Sequence, residues 1–275
     1  MQRFTIAVLF LAAVVPGAFA HDFWIEASNY RPVVKERVSF DLKVGEHFVG
    51  DSVERNSDRI VRFTAVDALG KAETILGIDR RAPAGLWAPI AAGLFAVGYE
   101  SNTIAIELEA EKFEHYLAAE GLEHVSAARK ARGETGKRAR EIYARSVKSL
   151  VWVRTDARDA LPTSGFDTRI GLPLEIVPEQ NPYALKIGDE LTLRVYFEGA
   201  PLAGALVGFM SHAEPQSEVR LRSQADGRLK VRITHAGPNL ARVCWMVAAP
   251  QDSGADWKST WSSLTFDVQP PTPAK

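Results

Sequence analysis

A two-residue alternation of apolar and polar side chains runs through the second half of the chain. Residues 191–197 read LTLRVYF, with apolar side chains at every second position. Successive side chains of a β-strand point to opposite sides of a sheet, so this pattern predicts a strand with one buried face. Further strand-like runs lie at residues 172–177, 205–210, 218–222, 229–234, 242–248 and 264–268. This density of short strands predicts a β-sandwich of immunoglobulin-like or transthyretin-like type over residues 166–269.

The first half of the chain shows strand-like runs followed by a helical pattern. Residues 23–26, 38–44, 59–66 and 103–108 predict an N-terminal β-sandwich lobe over residues 21–110. Residues 111–150 predict a helical insert, with a first helix around Phe113 and Leu117 and a second helix over residues 137–148. The expected fold is therefore mainly β, with two β-sandwich lobes and a helical insert between them.

The first twenty residues have the pattern of a cleavable signal peptide. Arg3 precedes an apolar run over residues 4–15, and Ala18-Phe19-Ala20 places small residues where a signal peptidase cleaves. This run is shorter than the roughly 20 residues that a membrane-spanning helix needs. We expect cleavage after Ala20, a mature chain that begins at His21 and works in the periplasm, and no integral membrane segment thereafter. The proline-rich residues 270–275 predict a disordered tail.

The charge and cysteine content exclude several classes of protein. The 33 basic and 34 acidic residues nearly cancel, which argues against a nucleic-acid-binding surface. Cys244 is the only cysteine, so no internal disulfide can form, and a lone cysteine in a strand-like run is most often a small buried hydrophobe. The basic residues between Arg129 and Lys148 indicate either a solvated helix face, which we favour, or a surface for an anionic partner.

Motifs that would indicate catalysis are missing from the sequence. The chain has no G-x-S-x-G elbow, no phosphate-binding glycine loop, no dinucleotide fingerprint and no H-E-x-x-H pair. We therefore do not expect an enzyme.

His21 is the residue with the most specific chemistry. At a free N-terminus, its α-amino nitrogen and imidazole Nδ1 could chelate one metal ion, and a second imidazole would give three nitrogen donors, a set that suits Cu(II) or Ni(II). The alternative is that a histidine follows the cleavage site by chance. His47, in a loop bracketed by Gly45 and Gly50, is the best-placed second ligand, although a histidine in such a loop is more often simply exposed to solvent. The remaining candidates are His115, His124, His212 and His235.

Trp257 and Trp261 offer a different function. Exposed, these two indoles could stack on a sugar, which would indicate a carbohydrate-binding or adhesion module. Buried, they would cap the second sandwich, and we favour burial.

Several segments resemble a bacterial family of periplasmic domains of unknown function that is associated with nickel and cobalt uptake (NikM-like substrate-specific components). The similar segments are HDFWIE at residues 21–26, YES at 99–101, FEHYLAAEGL at 113–122, PLEIVP at 173–178, GAPLAG at 199–204, DWKSTW at 256–261 and LTF at 264–266. The resemblance covers nearly the whole mature chain. It implies a periplasmic β-sandwich protein that handles a transition metal.

Together, the sequence and the resemblance predict a non-catalytic protein that binds nickel, cobalt or copper through His21 and His47. Its expected task is to hold or deliver the ion, with a membrane metal transporter as the expected partner.

Overall fold

The structure, a computed structural model, describes residues 21–156 and 158–270. The predicted signal peptide at residues 1–20 and positions 271–275 of the predicted tail lie outside the described residues. The first nine strands and the two α-helices are β1 (Asp22–Ala27), β2 (Val38–Glu46), β3 (Val49–Val53), β4 (Ile60–Val66), β5 (Ala72–Thr74), β6 (Gly85–Trp87), β7 (Gly93–Ser101), β8 (Ile104–Leu108), α1 (Ala110–Ala119), α2 (Glu123–Ala131) and β9 (Ala139–Val153). The later strands are β10 (Leu174–Pro178), β11 (Glu190–Phe197), β12 (Ala200–Pro201), β13 (Leu206–Ser211), β14 (Glu214–Arg222), β15 (Arg228–Arg232), β16 (Gly237–Ala248) and β17 (Trp257–Val268).

A nine-stranded sheet runs through the middle of the molecule. Its strand order is β14-β13-β16-β17-β9-β7-β4-β5, and β8 pairs with the outer part of β9. The parallel pairing of β17 with β9 joins the last strand to a strand from the middle of the chain. The other pairings in this sheet are antiparallel. The prediction of a mainly β fold with β-sandwich packing is therefore confirmed, and the two sandwiches share this central sheet.

Two four-stranded sheets cover the two faces of the central sheet. We call the first, formed by β1, β2, β3 and β6, the N-terminal sheet, and the second, formed by β10, β11, β12 and β15, the C-terminal sheet. Alternate residues of β9 show the layering, since Val147 and Val151 pack in the same core as Ile25 of β1. Leu150 packs in the other core with Leu193 of β11. Both helices lie on the same face as the N-terminal sheet.

The prediction of a helix over residues 137–148 is wrong, because these residues form most of strand β9. β9 has neighbours on both edges and a core on each face, so most of its residues are buried. A strand that is buried on both faces does not alternate apolar and polar residues, and Ile142, Tyr143 and Val147 then match a helical spacing by accident. The helical insert is correspondingly shorter than expected and ends at Ala131.

The basic residues of the same region are not simply a solvated face. Arg129 is 1% exposed and its Nε donates to Glu114 Oε1 at 2.7 Å. Lys148 is also fully buried and pairs with Glu175 on the other side of the sheet. The preference for a solvated helix face therefore fails at both of these positions.

The second helix-spaced pattern, Trp257 and Trp261, lies on β17 and points toward the helices. The two residues are 3% and 6% exposed and pack with Phe113 and Leu117 of α1. The preference for burial is confirmed, so neither indole is available as a stacking platform for a sugar. Among the described residues, no helix combines the length and the apolar character needed to cross a membrane.

Candidate functional site

The start of β1 places His21 beside the end of β2. The two strands are antiparallel with Asp22 opposite Gly45, so His21 lies next to Glu46. The His21 Nδ1 atom is 3.4 Å from Glu46 Oε1. It is shielded from solvent and has no hydrogen-bond partner among the described residues, although the whole side chain is 38% exposed. Nδ1 of His21 therefore faces the Glu46 carboxylate without forming a hydrogen bond to it.

His47 lies in the tight turn between β2 and β3. Glu46 pairs with Val49, so His47 and Phe48 form a two-residue hairpin turn, and their φ angles are 52° and 57°. Positive φ at both central residues is the type I′ pattern, which usually takes asparagine and glycine. The turn instead carries two bulky residues, of which His47 is exposed and Phe48 is buried.

Phe48 anchors this turn to the rest of the molecule. Its side chain is 1% exposed and packs edge-on against Trp24 and against His212, each with 5.5 Å between ring centroids. His212, one of the other candidate ligands, is therefore part of this packing. With Phe48 held inside, the turn presents His47 outward at the rim of a cavity.

This cavity has a volume of about 310 Å³ and lies between the N-terminal sheet, α1 and the edge of the central sheet. Its rim includes Glu46, His47 and, from α1, His115. His21 and His47 thus lie at neighbouring strand ends, and His115 faces the same cavity as His47. Of the sequence candidates, His47 and His115 line this cavity, and His21 lies beside Glu46, which also lines it.

The floor of the cavity is an arginine surrounded by three carboxylates, which we call the Arg242 cluster. The Nε of Arg242 lies 3.2 Å from Asp22 Oδ1 and 2.8 Å from Glu218 Oε1. Its Nη1 lies 2.9 Å from Glu120 Oε2. The four residues come from β16, β1, β14 and the end of α1, so the cluster ties together elements that are far apart in sequence. Arg242 thus pairs with all three acidic groups, and Glu218 also pairs with Arg220, whose Nε lies 2.7 Å from Glu218 Oε2.

Burial and charge shift the pKa values of these acids in different directions. Burial raises the pKa of Asp22 to about 7, although Arg242 partly offsets this effect. Burial also raises the pKa of Glu120. The pKa of Glu218 is lowered, because the attraction of Arg242 and hydrogen bonds from Arg220 and Arg242 outweigh its burial. The cluster therefore combines acids that hold protons differently at neutral pH.

Tyr116 lines the cavity, and its hydroxyl lies among buried polar side chains. Its hydroxyl lies 3.4 Å from Cys244 Sγ and donates to Glu141 Oε1 at 3.3 Å. Cys244 is 1% exposed, which confirms that it is a buried residue, and burial raises the pKa of its thiol well above the usual value. A thiol held in the protonated form is a poor metal ligand.

The remaining candidate histidines are engaged elsewhere. His124 stacks on Trp245 with 4.3 Å between ring centroids, and its Nε2 lies 2.8 Å from the Met246 carbonyl oxygen. His235 lies near Glu214, with 3.6 Å from Nε2 to Oε2. Across residues 21–156 and 158–270, no three or more His, Cys, Asp or Glu side chains are already arranged to hold a metal ion.

Sequence reasoning found the histidines at the rim but missed the Arg242 cluster. Arg242 interrupts the apolar run of β16, and 9% of it is exposed. A charged residue in a strand that is otherwise buried is a signal for a buried ion pair. Its three partners, in contrast, come from segments that sequence spacing does not connect.

The family model described as Domain of unknown function (DUF4198) matches residues 18–246. This match supports the resemblance to a family of unknown function, while the association with nickel and cobalt uptake stays a prediction. No functionally curated protein is significantly similar to the chain.

Several solved structures show a weak likeness to the chain. The D0-D1 domain of intimin is 14% identical, with 90% of this chain and 97% of that chain covered and a TM-score of 0.21. A tetra-tandem repeat from the extending region of a large adhesion protein is 11% identical, with coverage of 90% and 50% and a TM-score of 0.21. Escherichia coli alpha-2-macroglobulin activated by porcine elastase is 12% identical, with coverage of 91% and 20% and a TM-score of 0.22. Likenesses this weak say nothing about function.

Proposed function

The chain belongs to the family Domain of unknown function (DUF4198), and we propose that it is an exported, non-catalytic protein that binds nickel, cobalt or copper through His21. The observation that carries the proposal is the pairing of β1 with β2, which brings His21 beside the turn that presents His47. The protein would hold the ion in the periplasm and deliver it to a membrane transporter.

The donor atoms at the cavity mouth suit a borderline transition metal. Cleavage after Ala20 would give His21 a free α-amino group, which forms a chelate with its own Nδ1. That nitrogen is already without a hydrogen-bond partner among the described residues. His47 would supply a second imidazole, and His115 lines the same cavity. Nitrogen donors of this kind favour Cu(II) and Ni(II) over magnesium or calcium.

Two of the proposed donors, the α-amino nitrogen and Nδ1, belong to His21, and the free α-amino group exists only after cleavage. The site therefore does not require a ready-made cluster of three side chains, which the described residues lack. The amino group has an unperturbed pKa of about 8 and must lose its proton to bind, so we expect affinity to rise between about pH 6 and pH 9.

The charge of the cavity also favours a cation. Four carboxylates line it, from Asp22, Glu46, Glu120 and Glu218, against the two arginines Arg220 and Arg242. At a pH above the raised pKa values of Asp22 and Glu120, the negative charges exceed the positive ones. Such a lining raises the local concentration of divalent cations and lowers that of anions.

The test is a calorimetric titration of protein that begins at His21 with Ni(II), Co(II) and Cu(II). We expect tight binding of at least one metal, and loss of that binding in a matched protein whose His21 α-amino group is acetylated, because an amide nitrogen no longer offers an amine lone pair. His47→Ala and His115→Ala show which imidazole completes the site, and His235→Ala is the control. Equal binding with and without the acetyl group would refute the proposal.

A further inference from the structure

We infer that Arg145 is a positioning residue that holds His21 in place for the chelate. This inference rests on the function proposed above. Arg145 lies half-buried on β9, and it is not itself one of the proposed metal ligands.

His21 lies just outside the hydrogen-bonded ladder of β1, which begins at Asp22. A terminal residue in such a position would ordinarily fray. Here the Nη1 of Arg145 donates a hydrogen bond to the His21 carbonyl oxygen at 3.0 Å. This contact fixes the carbonyl end of His21, the atom group next to the two proposed donor nitrogens.

Arg145 is itself held firmly. Its guanidinium carbon lies 5.1 Å from the ring centroid of Trp261, 5.2 Å from that of Phe23 and 5.3 Å from that of Tyr143. Three aromatic faces at these distances favour a cation between them. The backbone is fixed as well, because the Arg145 amide donates to Ser101 Oγ at 2.9 Å and β9 pairs in parallel with β17 at this point.

The partners of Arg145 distinguish it from most other buried or half-buried cations of the molecule. Within residues 21–156 and 158–270, no carboxylate lies within ion-pair distance of its guanidinium. Its one side-chain hydrogen bond to another described residue goes to His21, which carries the proposed chelate. A cation that served stability alone would be better satisfied by a carboxylate than by a single carbonyl.

The expected effect follows from what outer partners of metal ligands usually contribute. Removing such a partner typically weakens metal affinity by about 10- to 100-fold. Without Arg145, metal binding would have to order a terminal residue that is free to move, and we expect a weakening in that range.

Arg154 provides a matched control. It lies one residue past the end of β9, and its Nε and Nη2 donate to the Arg31 carbonyl oxygen at 3.1 and 2.7 Å. Its guanidinium carbon lies 6.0 Å from the ring centroid of Trp152. Arg154 therefore makes the same two kinds of contact as Arg145, a hydrogen bond to a backbone carbonyl oxygen and a cation–π contact. Its hydrogen bonds, however, go to Arg31 and not to His21.

The experiment compares Arg145→Met, Arg145→Lys and Arg154→Met, each produced to begin at His21. Cu(II) affinity is measured by calorimetry, and the nitrogen coordination of bound Cu(II) by electron paramagnetic resonance. A third readout needs no metal: the rate at which a broad-specificity aminopeptidase removes His21. We expect Arg145→Met to bind Cu(II) about 10- to 100-fold more weakly, with altered coordination and faster trimming. Arg145→Lys should recover part of the Cu(II) affinity, of the wild-type coordination and of the resistance to trimming. Arg154→Met should match the wild type in all three.

The outcomes separate the two proposals. Wild-type affinity, spectrum and trimming rate in a folded Arg145→Met protein would overturn the positioning role. If Arg145→Met does not fold, Arg145→Lys decides by the same three readouts. If the wild type binds no metal while Arg145→Met is trimmed faster, the metal proposal falls and the positioning of His21 by Arg145 stands. Faster trimming in Arg154→Met as well would show a general loosening and would also overturn the positioning role.

Discussion

Two buried ionic groups lie on opposite faces of the central sheet, and they are built differently. On the face covered by the C-terminal sheet, Lys148 Nζ lies 2.8 Å from Glu175 Oε1, and both side chains are 1% exposed. On the face covered by the N-terminal sheet and α1, Arg242 meets three carboxylates beside a cavity.

The Lys148–Glu175 pair is balanced and closed. Lys148 also donates to the Thr168 carbonyl oxygen at 3.4 Å. Glu175 accepts from the backbone amides of Ile170, Gly171 and Leu172 at 2.9, 3.2 and 3.4 Å. Each charge has a partner of opposite sign, and both oxygens of the Glu175 carboxylate accept hydrogen bonds. The pair therefore holds the loop at residues 170–172 in place and has no free polar atom for a ligand.

The Arg242 cluster is unbalanced and open. Its acids outnumber its arginine, two of them have raised pKa values, and the group borders a space of about 310 Å³. The comparison teaches that burial of charge alone does not mark a functional site. An excess of one charge beside a cavity makes a group the stronger candidate for a functional site, because an ion of opposite charge from outside can complete it.

The largest expected effect comes from breaking the closed pair. Lys148→Met would leave Glu175 buried without its cation, and we expect a loss of about 3–5 kcal/mol in the free energy of unfolding. Urea denaturation followed by tryptophan fluorescence measures it. The control is Lys230→Met, whose partner Glu190 is 3.5 Å away and exposed, where we expect less than about 1 kcal/mol. Equal losses at the two positions would mean that the Lys148 pair is not structural.

Breaking the open cluster should have a smaller effect that depends on pH. Arg242→Met leaves three acids without their shared cation, but water can reach them from the cavity. We expect a loss of about 2–3 kcal/mol at pH 8. Removing Arg242 also raises the pKa of Asp22 and Glu120 further above their unfolded values.

The sign of this pH dependence follows from those pKa values. The pKa of Asp22 is about 7 in the folded wild type and higher without Arg242, so above about pH 7 the folded variant binds more protons than the folded wild type. The deficit of Arg242→Met relative to wild type should therefore shrink as the pH falls from 8 to 5. Urea denaturation at pH 5, 6, 7 and 8 measures it, with Arg228→Met as the exposed control. A deficit that grows toward pH 5 would contradict the account of the cluster.

The same contrast shows what the sequence could predict. Alternation over residues 191–197 predicted β11, and the glycines around His47 predicted a loop, because both signals are local. β9 escaped prediction because its neighbours bury both of its faces. The candidate site shows the same difference between local and non-local signals. His21 could be predicted because its chemistry depends only on its own position after the cleavage site. Two of the three acids of the Arg242 cluster, Asp22 and Glu120, lie more than about 100 positions from Arg242, so no local pattern reveals the cluster.

The smallest expected effect tests whether His47 is kept for its side chain or for its backbone. Its φ of 52° is tolerated better by asparagine than by histidine. His47→Asn should therefore stabilise the folded protein by up to about 0.5 kcal/mol, measured as the midpoint of thermal unfolding, while weakening metal binding. Phe48→Asn, in the same turn, should be strongly destabilising because Phe48 is buried. If His47→Asn lowered stability instead, His47 would have a structural contact in the turn, and its strained position would no longer favour a role as a ligand.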